Sequence, residues 1–177
     1  MNDKKVLLIY GLIGGLITVA GFFLWPVLAG EDSPTDMDYG QLIGYGFMLI
    51  ALSTVFFGLR SFREKNGGTL TFKEGFLNGM IVVVIASVIY VIGWMIYYPN
   101  FMPDFVDTYT NSQIELLKQK DYTEEELAQE IASLKDSMEM YQKPYIMASV
   151  SFMEIFPVGL VMTLAFALIL RRKEAKA

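Results

Sequence analysis

One carboxylate, Glu154, stands alone inside an apolar run of this 177-residue chain, three residues before Pro157 in the stretch FMEIFPVGL. A carboxyl group in such a run can take part in a hydrogen bond, hold a cation or pass a proton, and each role requires a partner. The chain contains no His and no Cys. That removes thiolate nucleophiles, imidazole bases, disulfides, and metal or haem sites built on imidazole or thiolate. Two adjacent glycines, Gly67 and Gly68, lack the rest of a phosphate-binding loop. No two acids are marked out as an acid/base couple. The sequence therefore assigns no catalytic residue, no cofactor and no metal ligand, and the chain reads as a non-enzyme. Ten acids between Pro99 and Lys143 lie on polar stretches, where acids usually form a solvated face, and leave a Mg²⁺ or Ca²⁺ site open. No basic patch with interleaved aromatics appears, so nucleic acid is not an expected partner.

The elements that must position Glu154 are four long apolar runs. Hydrophobic residues make up 54% of the chain and its mean hydropathy is +0.41, more apolar than is usual for soluble domains. About 20 apolar residues cross a hydrocarbon layer of about 30 Å, and in lipid every backbone group must be bonded within its own segment. The runs predict transmembrane helices at about 6–28, 41–60, 75–98 and 146–170 of one integral membrane domain, 1–177. Ten of the fourteen basic residues fall at the N-terminus, between the second and third runs, or after the fourth. Glu31, Asp32, Asp36 and Asp38 lie between the first two runs with no base among them. The excess of Lys and Arg on one side predicts both termini in the cytoplasm. Lys4 and Lys5 followed by an apolar run also resemble a cleavable signal peptide, which would leave three spans. The run is longer than the about 7–15 residues of a signal core, and Gly11, Gly14, Gly15 and Thr18 suit close helix packing, so a retained helix is expected.

The turn signal Asn66-Gly67-Gly68 is followed by Thr71 and Glu74, spaced as a capping box at the start of the third span. Between spans three and four, residues 99–144 predict an extracytoplasmic antiparallel helical hairpin. Its first helix is expected to open with Pro103 at the first helical position and to run to about Lys120. Its second helix is expected to follow a capping box at Thr123 and Glu126. Leu127, Ile131, Leu134, Met138 and Tyr141 are spaced 4, 3, 4 and 3 apart, a seam of the kind that pairs helices. Phe105, Val106, Tyr109, Leu116 and Leu117 would face it. The seam could instead take a protein partner or a second copy of the chain.

Depth locates the neighbours of Glu154. It lies 17 residues before Arg171, about 25 Å along a helix, and so near the outer edge of the hydrocarbon layer. Tyr90, Trp94, Tyr45 and Trp25 reach similar levels in their own runs, as expected of an interfacial aromatic layer, and supply hydroxyl and indole donors. Pro157 removes the amide that would bond the Met153 carbonyl, so a bend and an unpaired acceptor are expected beside the acid. Glu154, Pro157, Tyr90, Trp94 and Tyr45 form the candidate polar cluster. It has three readings: structural glue, a site for a small polar ligand, ion or lipid headgroup, and a proton or ion relay. Tyr90, Gly93, Trp94 and Tyr97 share one helix face, and Gly44, Gly46 and Gly58 are expected at close helix contacts.

LIYGLIGGL (8–16), GGTLTF (67–72), YVIGWMIYY (90–98), FMPDF (101–105), FMEIFPVGL (152–160) and the closing RRK (171–173) occur in order along almost the whole chain. Together they resemble a bacterial membrane family catalogued as domain of unknown function 4199. The resemblance implies a small multi-span protein of the bacterial inner membrane and transfers no catalytic role; Glu154 and Pro157 match its most specific motif. The expected architecture is an all-α integral membrane four-helix bundle with an outer hairpin. The expected function is a non-enzymatic scaffold or envelope interaction protein using that hairpin. The alternative is a small transporter or ligand- or lipid-binding protein using Glu154.

Overall fold

The computed structural model describes the backbone of residues 3–29 and 37–172, and the side chains of 4–24 and 42–172. Among these residues the chain forms seven helices: α1 (Asp3–Ala29), α2 (Met37–Leu52), α3 (Thr54–Lys65), α4 (Phe72–Phe101), α5 (Phe105–Lys118), α6 (Glu124–Tyr141) and α7 (Pro144–Leu170). No named strand occurs among them. A single antiparallel bridge joins Leu70 to Arg172.

Local chemistry explains several helix ends. Thr71 opens α4 by accepting from the Glu74 amide at 3.2 Å, while the Glu74 carboxylate accepts from the Thr71 amide at 2.9 Å. Thr123 and Glu126 repeat this reciprocal cap at α6, at 3.3 and 2.9 Å. Gly67 and Gly68 turn the chain after α3 with φ of +67° and +81°, values that favour glycine. The second apolar run is broken at Ser53 into α2 and α3. There the Ser53 and Thr54 hydroxyls donate to the carbonyls of Ile50 and Ala51, each at 2.6 Å, and this back-bonding competes with the regular ladder. α4 continues through Pro99 to Phe101, one turn beyond the expected end, and Asn100 donates its side-chain amide to the Ile96 carbonyl at 2.6 Å. Pro103 is not at the first position of α5: it lies in the turn before Asp104, and the helix begins at Phe105 and ends at Lys118.

α1 packs on α2, α3 and α4, and α4 packs on α7; α3 also meets α4 and α7. Leu7, Leu52, Val55, Leu59, Leu70, Val82, Val83 and Ile155 form the core. Small residues set how closely these helices approach. A methyl group on Gly159 would collide with Val83, and one on Gly79 would stand 2.6 Å from the Thr163 methyl. Gly58 likewise lies against Tyr10 and Val82. Gly44 and Gly46 do not serve this role among the described residues, since none of them lies within 4 Å of a Cβ placed on either. At the opposite end of α7 from Pro144, the Leu70 and Arg172 backbones exchange hydrogen bonds of 2.9 and 2.8 Å, and Arg63 donates to the Leu170 carbonyl at 3.3 Å.

The bundle is apolar outside as well as inside. Leu16, Leu42, Ile96, Val161 and Ile169 are each at least 60% exposed, far more apolar surface than a soluble bundle presents. α1, α2 with α3, α4 and α7 supply four segments long and apolar enough to cross a membrane. These four apolar helices fit a multi-pass membrane protein.

α5 and α6 pack on each other. Leu127, Ile131, Leu134, Met138 and Tyr141 are the half-buried residues of α6, and every other residue of that helix is exposed. On α5, Val106 is buried and Phe105, Tyr109 and Leu117 are half-buried, whereas Leu116, expected to face the seam, is 47% exposed. The Thr123 backbone and hydroxyl hold the Glu126 carboxyl below the usual carboxylate range. A lowered folded-state value makes the cap fully effective above the ordinary pKa of about 4.3, and its contribution is lost as pH falls through the folded value. A carboxyl NMR titration is expected to place the Glu126 midpoint below that ordinary value, and Thr123→Ala, which removes the hydroxyl but keeps the backbone donor, to raise it only part-way.

Candidate functional site

Glu154 sits on α7 with Val150, Pro157 and Val161 on one face, at steps of 4, 3 and 4, and all four side chains are exposed. The adjacent face, bearing Ser151 and Ile155, is buried in the bundle. The acid therefore stands at the rim of the packed interior, on a surface whose other members are apolar. α7 stays helical through Pro157. Because proline has no N–H, the Met153 carbonyl, next to Glu154, lacks its helical donor.

From α4, Tyr90 reaches across and donates its hydroxyl to the Glu154 carboxylate at 2.9 Å. Its ring is braced by Phe22 of α1, with centroids 5.4 Å apart. Phe22 also meets the Trp94 ring edge-on at 5.3 Å. Trp94 does not bond Glu154: its indole donates to the Tyr141 hydroxyl at 2.8 Å. Trp94 further contacts Tyr98 and, edge-on, Phe105, at 6.1 and 5.8 Å. Tyr45, on α2, is 42% exposed and makes no side-chain hydrogen bond to Glu154 among the described residues. The side chain of Trp25 lies outside the described residues.

Tyr141 thus belongs to two structures. It ends the half-buried stripe of α6, and it closes the aromatic layer over α4. An indole N–H only donates, so the Tyr141 oxygen must accept from it and its own proton is left to point elsewhere. The Ser151 hydroxyl and Glu154 are its polar neighbours on α7. Burial pushes the Tyr141 phenol above its ordinary pKa, against the opposing pull of the Trp94 hydrogen bond. The group is therefore a neutral donor throughout the physiological range. Sequence periodicity placed Tyr141 in the seam alone; its position at the very end of α6, two residues before Lys143 and α7, was the one signal that it also borders the bundle.

Deeper in the bundle, Ser87 and Thr163 are fully buried and their hydroxyls have no hydrogen-bond partner among the described residues. In the sequence Ser87 is one hydroxyl in an apolar helix and carries no distinguishing signal. The described residues contain no cluster of three His, Cys, Asp or Glu able to hold a metal ion.

The family model for proteins of unknown function, DUF4199, matches residues 9–172. The chain belongs to that family. The match spans every part of the site, from Phe22 and Tyr90 to Tyr141 and Glu154, so the polar cluster lies wholly within the DUF4199 region. Searches of curated proteins and of solved structures give no match to this DUF4199 chain.

Proposed function

We propose that this is a non-enzymatic protein of the bacterial inner membrane whose working site is the cluster around Glu154, where it binds a small polar ligand or a lipid. In this reading both termini are cytoplasmic, and residues 99–144 form an antiparallel hairpin outside. The observation that carries it is the exposed carboxylate on an otherwise apolar face of α7, held by a single tyrosine donor. A purely structural acid would be expected inside the packing, with its oxygens saturated. Binding is favoured over transport because the hydroxyls of Ser53 and Thr54 are engaged with their own helix, and the two buried hydroxyls left unpaired among the described residues, Ser87 and Thr163, are too few for a continuous path inward.

The expected result is that a compound co-purifying with the wild-type protein in gentle detergent is absent from Glu154→Gln, while helicity and melting temperature stay unchanged. An identical set of bound compounds in both proteins would reject the ligand site, and a variant that melts far lower would assign Glu154 to structure. A reporter inserted at Asp121 should answer only to probes outside the cytosol.

A second reading makes the outer hairpin a contact surface for a protein partner or a second copy. Leu116 and Met140, 47% and 48% exposed on α5 and α6, favour it. The Leu127, Ile131 and Leu134 seam supports it less, because these residues are half-buried on the side α6 turns toward α5.

A further inference from the structure

We propose that the ligand of Glu154 is the primary ammonium headgroup of an aminophospholipid, held from the side of the bundle in the leaflet nearer α5 and α6. The inference rests on the ligand-site reading above and names its occupant. Val150, Pro157 and Val161 place the acid on an exposed apolar face of α7, of the kind that lipid chains and headgroups cover in a membrane. The two ion pairs of the described residues, Arg60 with Glu64 and Lys118 with Glu115, both lie away from it. On α7 itself the nearest bases are Lys143 and Arg171, about 16 and 25 Å along the helix. At the edge of the hydrocarbon layer an ionised carboxylate gains from a counter-charge. A lipid ammonium supplies the cation that the described protein does not.

The surroundings narrow the cation's identity. One carboxylate with phenols is too few hard ligands for Ca²⁺ or Mg²⁺. The aromatic ring beside the acid, Tyr90 with Phe22 behind it, favours an organic cation through its negative face. Two acceptors stand close together in sequence: the carboxylate, and the Met153 carbonyl that Pro157 leaves without its helical donor. A primary ammonium has three N–H donors for such acceptors, whereas a quaternary one has none. The depth agrees, since about 25 Å above Arg171 is where headgroups begin.

The test uses the full-length protein in nanodiscs containing equal parts phosphatidylethanolamine, phosphatidylcholine and phosphatidylglycerol, with the retained lipids read by native mass spectrometry. Wild type should retain the ethanolamine lipid over the choline lipid by about tenfold, the worth of one charge-assisted hydrogen bond. Glu154→Gln keeps the size of the side chain and an oxygen for Tyr90, and should reduce that ratio to near one. Pro157→Ala restores a donor to Met153 and should lower the ratio part-way. Equal retention of the ethanolamine and choline lipids by wild type, which needs no variant, would overturn the proposal. So would a preference that survives Glu154→Gln, or displacement by millimolar free ethanolamine without lipid enrichment. A non-amine compound lost on Glu154→Gln would sink this inference and leave the ligand-site reading standing. No compound lost at all would sink both.

Discussion

Gly159→Leu is expected to lower the melting temperature of the detergent-purified protein by about 5–10 °C, corresponding to an overpacking cost of about 2–3 kcal/mol. Gly159 faces Val83, and a side chain there has nowhere to go but into that residue or Leu52, whose Cδ2 would lie 3.3 Å from the new Cβ. The contact lies on the interface between α4 and α7, the same two helices that carry Tyr90 and Glu154. Separating them should therefore weaken lipid or ligand retention as well as stability. Gly44→Ala is the matched control. Its new methyl meets none of the described residues within 4 Å, and alanine is the better helix former, so the melting temperature should hold or rise slightly.

Trp94→Ala should release the α5–α6 pair from the bundle, at a cost of about 3–5 kcal/mol for removing a large packed aromatic side chain. Trp94 meets Phe22 of α1, Phe105 of α5 and the Tyr141 hydroxyl of α6, and so ties three helices to α4. Hydrogen–deuterium exchange should then rise through Phe105–Lys118 and Glu124–Tyr141, with little change near Leu70 and Arg172 at the other end. Trp94→Phe separates the two contributions. It keeps an aromatic ring but removes the indole donor, and should cost only about 1 kcal/mol. If Phe and Ala perturbed exchange equally, the hydrogen bond rather than the packing would be what holds the pair in place.

The candidate site was partly legible in the sequence. The rise per residue puts Glu154 and Tyr90 at one level on two different helices, and the structure joins them by a 2.9 Å hydrogen bond. Depth along a span is a one-dimensional quantity, and a fixed rise supplies it. The partner of Trp94 was not legible. Trp94 lies at a similar level to Glu154, but its indole goes to Tyr141 instead. Which way a side chain points around its helix depends on where the neighbouring helices stand, and no spacing within α4 contains that. Tyr141 was hidden for a related reason: one residue can end a 4-3-4-3 stripe and still border a second element.

The glycines make the same distinction. Gly44, Gly46 and Gly58 look alike in an apolar run, yet among the described residues only Gly58 meets a neighbouring helix. The break at Ser53 was equally silent, because a hydroxyl in a helix can leave the ladder intact or bend it according to the packing around it. The capping boxes at Thr71 and Thr123 were readable in full, since their partners lie three residues away in the same helix.

The linear order of residues was enough to establish helices as the elements, four of them apolar enough for lipid, and one acid out of place among them. These follow from local demands: backbone hydrogen bonds within a segment, apolar length against bilayer thickness, and caps closed over a few residues. The tertiary structure alone decided that Tyr90 holds the acid, that Trp94 bolts α6 to α4, and that Glu154 remains at an exposed rim. Those outcomes depend on the rotation and separation of whole helices, which are settled by packing among residues far apart in the chain.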